Sequence, residues 1–273
     1  MKALVKVILY QPIFNALIFL VWLMPYHSVG LAIIILTVLI RLILLPSSAK
    51  SLKQQKRLQE LQPEIQQLQE QYKDDKQKQS QELMALYQRN KVNPLGSCLP
   101  LLIQFPILIV LYYVFMHGLD TSRFDLLYSF VPRPELINTM FLGIDLAKPD
   151  LWVMPIIAGV LQFIQTRMMM PAQPKKEDGK NDPQAMQAMV TKQMMYLFPL
   201  MTIFIARGLP AALPLYWIIT TLFAIGQQWM ITRQPSESLI SLPVANNDKK
   251  TKNTITKGGV EVTVRRKDET RGN

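Results

Sequence analysis

An arginine inside an apolar run is the residue of this chain best able to do chemistry. Arg41 stands in VGLAIIILTVLIRLILLP, residues 29–46, and is the one full charge in that stretch. Placing a guanidinium in hydrocarbon costs from about 2.5 to above 10 kcal/mol, so such a residue faces water, a partner or the interface. Two readings stay open from the residues alone. Arg41 lies about 7.5 Å before Pro46 along a helix, within reach of the inner interface by snorkelling. Alternatively it is a cationic spot in a wet groove that attracts acidic segments. No other apolar run carries a carboxylate to neutralise it, which favours a groove over a structural ion pair.

Other polar groups accompany it. Thr37 lies one helical turn before Arg41, on the same face. Gln104, Gln162, Gln165, Gln227 and Gln228 interrupt later apolar runs. Each alone reads as an interhelical hydrogen bond worth roughly 1 kcal/mol; together with an unpaired arginine they suggest a polar-lined cavity. Tyr216 and Trp217 open the last apolar run and fit an interfacial aromatic anchor. The methionines at 168–170, 186, 189, 194, 195 and 201 offer either an adaptable apolar surface or ordinary helix packing. Enzymatic readings fare badly. No phosphate-binding glycine loop is present, and neither histidine sits beside an intramembrane serine. Cys98, His27 and His117 are too few and too scattered for a zinc site. No cofactor or metal is expected, and the chain is not read as an enzyme.

The elements that must position these residues are long apolar blocks separated by charge. Of 273 residues, 49% are hydrophobic and 18% charged, below the roughly 25% charge of a soluble domain. A membrane span needs about 20 mostly apolar residues. Five such blocks are found, at 29–46, 98–116, 151–170, 193–207 and 213–232. The spacing predicts an all-α membrane protein with five transmembrane helices. Residues 1–28 form an N-terminal segment, apolar over 3–24 but broken by Lys6, Gln11, Pro12 and Asn15. It is read as an interfacial amphipathic helix, with a signal-anchor span as the alternative. Residues 29–232 form the core. Within it, about 47–92, Leu58, Leu61, Ile65, Leu68 and Tyr72 recur at steps of three and four. That pattern and the KDDK turn at 73–76 predict a helical hairpin, kinked at Pro63. Residues 233–273 are a basic tail expected to be disordered.

Charge sets the orientation. The 47–97 loop carries nine Lys and Arg, the 171–192 loop four and the tail nine, whereas the 117–150 loop has three against five acidic residues. The positive-inside rule puts the hairpin and the C-terminus in the cytoplasm. The net charge of +11 either reflects that rule alone or marks ribosomal RNA or anionic lipid as a neighbour. DNA is not an expected partner.

These stretches resemble one family. GLAIIILTVLIRLILLP is similar to the first core span of the YidC/Oxa/Alb insertases, arginine included. The stretch from LQPEIQQLQEQYKDDK to NKVNPLG resembles their cytoplasmic hairpin, and NPLGSCLPLLIQFPI the start of the next span. FLGIDLAKPDLWVMPIIAGVLQFIQ and LPLYW with the later Gln-Gln pair resemble the outer loop with third span and the last span. The likeness runs in order from about residue 10 to 233. It implies a membrane protein insertase of the bacterial inner membrane, working with or without the Sec translocon. Its arginine corresponds to Arg41, set in a hydrophilic groove that draws in a client's acidic tail. Gln165, Tyr216 and Trp217 match groove or client-contact positions, and Gln104 is a further candidate. The implied partners are nascent membrane proteins and the lipid bilayer. The Sec translocon, the ribosome and the signal recognition particle system are further candidates. The chain resembles the minimal five-span form, with no lipid-attachment cysteine near its N-terminus. It departs from the family at PAALPLYW, where Ala212 replaces glycine and Pro214 is added, so the outer end of the last span is expected to differ. The alternatives are a small-anion transporter and an assembly scaffold without insertase activity.

Overall fold

The computed structural model describes residues 6–93, 99–117, 125–170, 183–233, 254–257 and 260–263. Residues 94–98 of the NPLGSC motif, residues 171–182 and most of the tail lie outside them. The chain is mostly helical. Helix α1, Lys6–Leu23, begins as a π-helical turn, Lys6–Tyr10, and continues α-helical over Gln11–Leu23. The change of winding falls at Pro12, which has no N–H to give the preceding turn. Its inward face, Phe14, Leu17, Ile18 and Val21, is fully buried.

The amides that interrupt this apolar helix have a use. Asn15, only 3% exposed, donates through Nδ2 to the Leu126 carbonyl at 3.1 Å and accepts from the Tyr128 N–H at 2.7 Å. Gln11 donates to the same Leu126 carbonyl at 3.2 Å. One turn apart, the two side chains pin residues 126–128 against the middle of α1.

Helix α2, Val29–Ile43, is capped by Ser28, whose hydroxyl accepts from the Leu31 N–H. It bends by 66° into α3, Leu45–Glu60. The sequence pattern ended this span at Pro46. Instead the helix breaks at Leu44, and Pro46 sits in the first turn of α3, where its missing N–H costs nothing. Pro63 has the same place in α4, Gln62–Gln71, so a second break falls at Leu61. After a turn capped by Asp75, whose carboxylate accepts from the Lys78 N–H at 2.9 Å, α5 runs over Lys76–Arg89. Helices α4 and α5 pack together and bury Leu61, Ile65, Leu68 and Leu86.

Helix α6 spans Leu99–His117, α7 Val153–Met169, α8 Pro183–Ala206 and α9 Ala212–Thr232. The apolar core is shared by α1, α2, α6 and α9, with Leu146 and Val131 from the segment before α7. Helix α8 packs on α7, and α7 on α9. Among the described residues, Lys6–Leu23 alone is long and apolar enough to cross a membrane as one helix; α2 with α3 qualifies as a bent pair. The stretches Gln104–Met116, Val153–Met169 and Met195–Ala206 are apolar but shorter.

The segment before α7 is tied to two helix starts. Its antiparallel pair, β1 (Met140–Phe141) and β2 (Ile144–Asp145), turns through Leu142 and Gly143, both at positive φ. Phe141 lies on Gly30 so closely that a Cβ there would come within 2.3 Å of its ring. The Lys148 and Leu146 carbonyls accept from the N–H groups of Ala211 and Ala212 at 2.9 and 3.1 Å. Those bonds satisfy orphan donors at the start of α9. They account for PAALP: Ala212 needs no special backbone freedom, and Pro214 falls in a first turn whose N–H groups have no helical partner. A second unit, Ser241–Asn273, contains an antiparallel pair, β3 (Thr254–Lys257) and β4 (Val260–Thr263). This pairing lies within the tail expected to be disordered.

Candidate functional site

Three polar side chains from three helices meet at the edge of the apolar core. Half-buried Arg41, near the end of α2, donates through Nη2 to Gln104 Oε1 on α6 at 3.1 Å. Gln104 Nε2 in turn donates to the Tyr216 hydroxyl on α9 at 2.6 Å. Tyr216 is 2% exposed. The amide serves both neighbours because it accepts at one end and donates at the other.

Among the described residues no carboxylate pairs with Arg41. A guanidinium has five N–H donors in a planar fork, and the neutral amide oxygen of Gln104 takes one of them without cancelling the charge. A carboxylate would bind it more strongly, through two parallel bonds. The arrangement holds the charge in place and leaves it available to an acidic group.

The other sequence-identified residues divide. Thr37 is buried one turn before Arg41, but its hydroxyl donates to the Ile33 carbonyl of its own helix at 2.6 Å. It lines the same face without joining the relay. Trp217 is half-buried and packs on the apolar core beside Tyr216. Gln165 is half-buried on α7, and no described hydrogen bond links it to Arg41, Gln104 or Tyr216. Gln227 and Gln228 are buried but lie at the far end of α9, bonded to Ser48 and to the Met168 carbonyl.

Sequence reading missed the Gln11 and Asn15 pair, taking it only as an interruption. The available signal was two amides four residues apart on one face of an apolar helix. The described residues contain no cluster of three or more His, Cys, Asp or Glu able to hold a metal.

The sequence profile of the 60Kd inner membrane protein family matches residues 22–238. This chain belongs to that family. The match takes in Arg41, Gln104 and Tyr216 together with every helix from α2 to α9. Among similar curated proteins, the membrane protein insertase YidC of Fusobacterium nucleatum is 37% identical over 206 residues, covering 75% of this chain and 86% of its own. The membrane protein insertase YidC 1 of Halalkalibacterium halodurans is 41% identical over 221 residues, covering 77% and 75%. The membrane protein insertase MisCA of Bacillus subtilis is 40% identical over 207 residues, covering 74% and 69%. The family relation spans the helices that build the relay and leaves most of α1 and the tail outside the profile.

Proposed function

We propose that this chain is a membrane protein insertase that lowers the barrier for a client's acidic tail by offering the Arg41 charge inside a polar groove. The observation that carries the reading is Arg41 held by the neutral amide of Gln104 and unpaired with any described carboxylate. Moving a carboxylate through hydrocarbon alone is prohibitive. A fixed, un-neutralised guanidinium part-way across offsets much of that cost. A single cation attracts the tail without trapping it, and Gln104 can re-engage the fork when the tail leaves. Tyr216 and Trp217 border this groove; Thr37 and Gln165 are proposed to line it.

The bilayer placement is part of the same proposal. Helices α2, α6, α7, α8 and α9 are the five spans. The distribution of side chains supports this. Leu200 and Phe204 on α8, Val160 on α7 and Met230 on α9 are exposed, while Thr220, Thr221, Gln227 and Gln228 of α9 are buried. An apolar shell around a polar interior suits lipid and does not suit water. Helix α1 is proposed to lie in the outer interface. Its middle is bonded to residues 126–128 of the segment joining α6 to α7, and a spanning α1 would draw that segment to mid-membrane. The helices α3 to α5 then form the cytoplasmic hairpin that receives clients, and the C-terminus is cytoplasmic. Nascent membrane proteins are the substrates. The basic tail is proposed to approach ribosomal RNA electrostatically, and the Sec translocon and the signal recognition particle system are proposed partners.

The test is a depletion rescue. A bacterial host loses its own insertase, expresses this chain, and is followed for insertion of a small single-span client with an acidic tail by protease accessibility. Wild type rescues and Arg41→Ala fails. Equal rescue by both removes the charge from the mechanism.

A further inference from the structure

The glutamine pair of α9 is not used by the Arg41 relay. Gln227 Nε2 donates to Ser48 Oγ on α3 at 2.9 Å, and Gln228 Nε2 donates to the Met168 carbonyl at 3.3 Å. From the other side α3 reaches back. Lys56 Nζ donates to the Ile231 carbonyl at 3.4 Å, and Gln59 Nε2 donates to the Met169 carbonyl. Met168, Met169 and Ile231 stand in the last turns of α7 and α9, where carbonyls lack helical partners. Ser48, Lys56 and Gln59 share one face of α3.

The adhesion of α3 is unlike the rest of the fold. Its one buried residue is Ser51, and its apolar side chains Leu52 and Leu58 are only half-buried. Apolar burial is non-directional and does not by itself fix an orientation. Here direction comes from hydrogen bonds. Without them α3 could pivot about the 66° bend at Leu44, carrying α4 and α5 with it.

We propose that Gln227 and Gln228, with Ser48, are positioning residues for insertion. Gln227 holds α3 on the end of α9, and Gln228 ties that end to the last turn of α7, on which Gln59 of α3 also bonds; α3 is thereby seated across the inner ends of both helices, which fixes where the α4–α5 pair stands relative to the Arg41 groove. A client held on that pair is thereby kept at high effective concentration near the groove. The same helix, α9, carries Tyr216 of the relay and both glutamines, so pair and groove share one rigid reference. The inference rests on the reading that the helical pair receives clients.

The experiment uses the full chain in liposomes, with Cys98→Ser as background and spin labels at Gln77→Cys on α5 and Leu142→Cys in the β1–β2 turn. The expected result is one narrow distance distribution for the clasped protein. Gln227→Ala/Gln228→Ala broadens it and slows client insertion several-fold. Ser48→Ala broadens it too, and adding Ser48→Ala to the glutamine pair broadens it no further. Ser48→Thr keeps the hydroxyl, the narrow distribution and the insertion rate. Unchanged distributions overturn the proposal, and slowed insertion with unchanged distributions returns the glutamines to lining the groove. Broadened distributions with normal insertion overturn it as well. If the glutamine variant does not fold, Ser48→Ala carries the same comparison, with gel filtration as the check. Normal insertion after deletion of α4 and α5 instead sinks the reading that the pair receives clients, whatever the distances.

Discussion

Gln104 sets the state of the arginine. Its amide oxygen competes with any incoming carboxylate for the same guanidinium, and its amide nitrogen anchors Tyr216. Gln104→Leu is close in volume and removes both bonds. Leaving a buried partner unsatisfied costs about 1–3 kcal/mol, so the variant should melt lower in detergent. It should also bind an acidic peptide more tightly, because nothing displaces from Arg41. Stability and affinity therefore move in opposite directions, which thermal unfolding and peptide titration read separately. A variant weaker in both would show that Gln104 orients the arginine and does not compete for it. A second residue-scale effect lies in the β1–β2 turn. Asp145 is held below the usual carboxylate range, first by a hydrogen bond from the Thr139 side chain, then by the Ala147 N–H and Lys148. Its folded value is depressed, so its contribution is complete above the ordinary carboxylate pKa of about 3.9 and is lost as pH falls through the lowered value. Thr139→Val should move the Asp145 titration upward, as read by NMR of a carboxyl-labelled sample. An unmoved titration would assign the shift to Ala147 and Lys148.

At the scale of elements, α7 and α8 meet where a side chain is missing. A Cβ on Gly159 would come within 2.4 Å of Ile203 Cγ1 and 3.2 Å of the Pro199 carbonyl oxygen. The first neighbour is a side chain that can turn; the second is backbone and cannot yield cheaply. Overpacking of this kind costs about 1–3 kcal/mol. Gly159→Leu should lower the unfolding temperature and loosen α8, seen as faster hydrogen exchange over Met195–Ala206. Unchanged exchange there would mean that the pair tolerates wider spacing. How legible such elements were depended on the kind of signal. Arg41 was conspicuous because a full charge in an apolar run has few permitted settings. Helix α4 was legible as helix from apolar residues at steps of three and four, Leu61, Ile65 and Leu68, which the structure buries. The break at Leu44 was not, because Pro46 reads equally as the end of one helix or the first turn of the next. Gln227 and Gln228 were visible as polar groups, but sequence spacing cannot say that their partners are Ser48, 179 residues away, and a backbone carbonyl of α7. Gln165 had the opposite fate: the resemblance put it with Arg41, and no described bond does so.

At the scale of the molecule, two features of α1 bear on its placement. By length and hydropathy Lys6–Leu23 passes for a span more easily than any other described helix. Yet its most buried polar residue, Asn15, is spent on backbone groups of residues 126 and 128. Inside hydrocarbon those backbone groups would otherwise lack partners, so either the clamp is what lets that segment sit deep or the whole assembly lies at the surface. The two cases place the ends of α1 differently. A spanning α1 puts Lys6 and Leu23 on opposite sides of the membrane. An interfacial α1 keeps both on the side of Leu142. Single cysteines at Lys6, Leu23, Gln77 and Leu142, on the Cys98→Ser background in right-side-out vesicles, distinguish them with a membrane-impermeant maleimide. Labelling of Lys6→Cys, Leu23→Cys and Leu142→Cys from outside, with Gln77→Cys protected, is the expected pattern. Protection of Lys6→Cys together with Gln77→Cys would make α1 a sixth span. It would leave α2 to α9 and the Arg41 relay oriented as proposed, because the turn at Pro25–His27 still delivers Ser28 to the outer side.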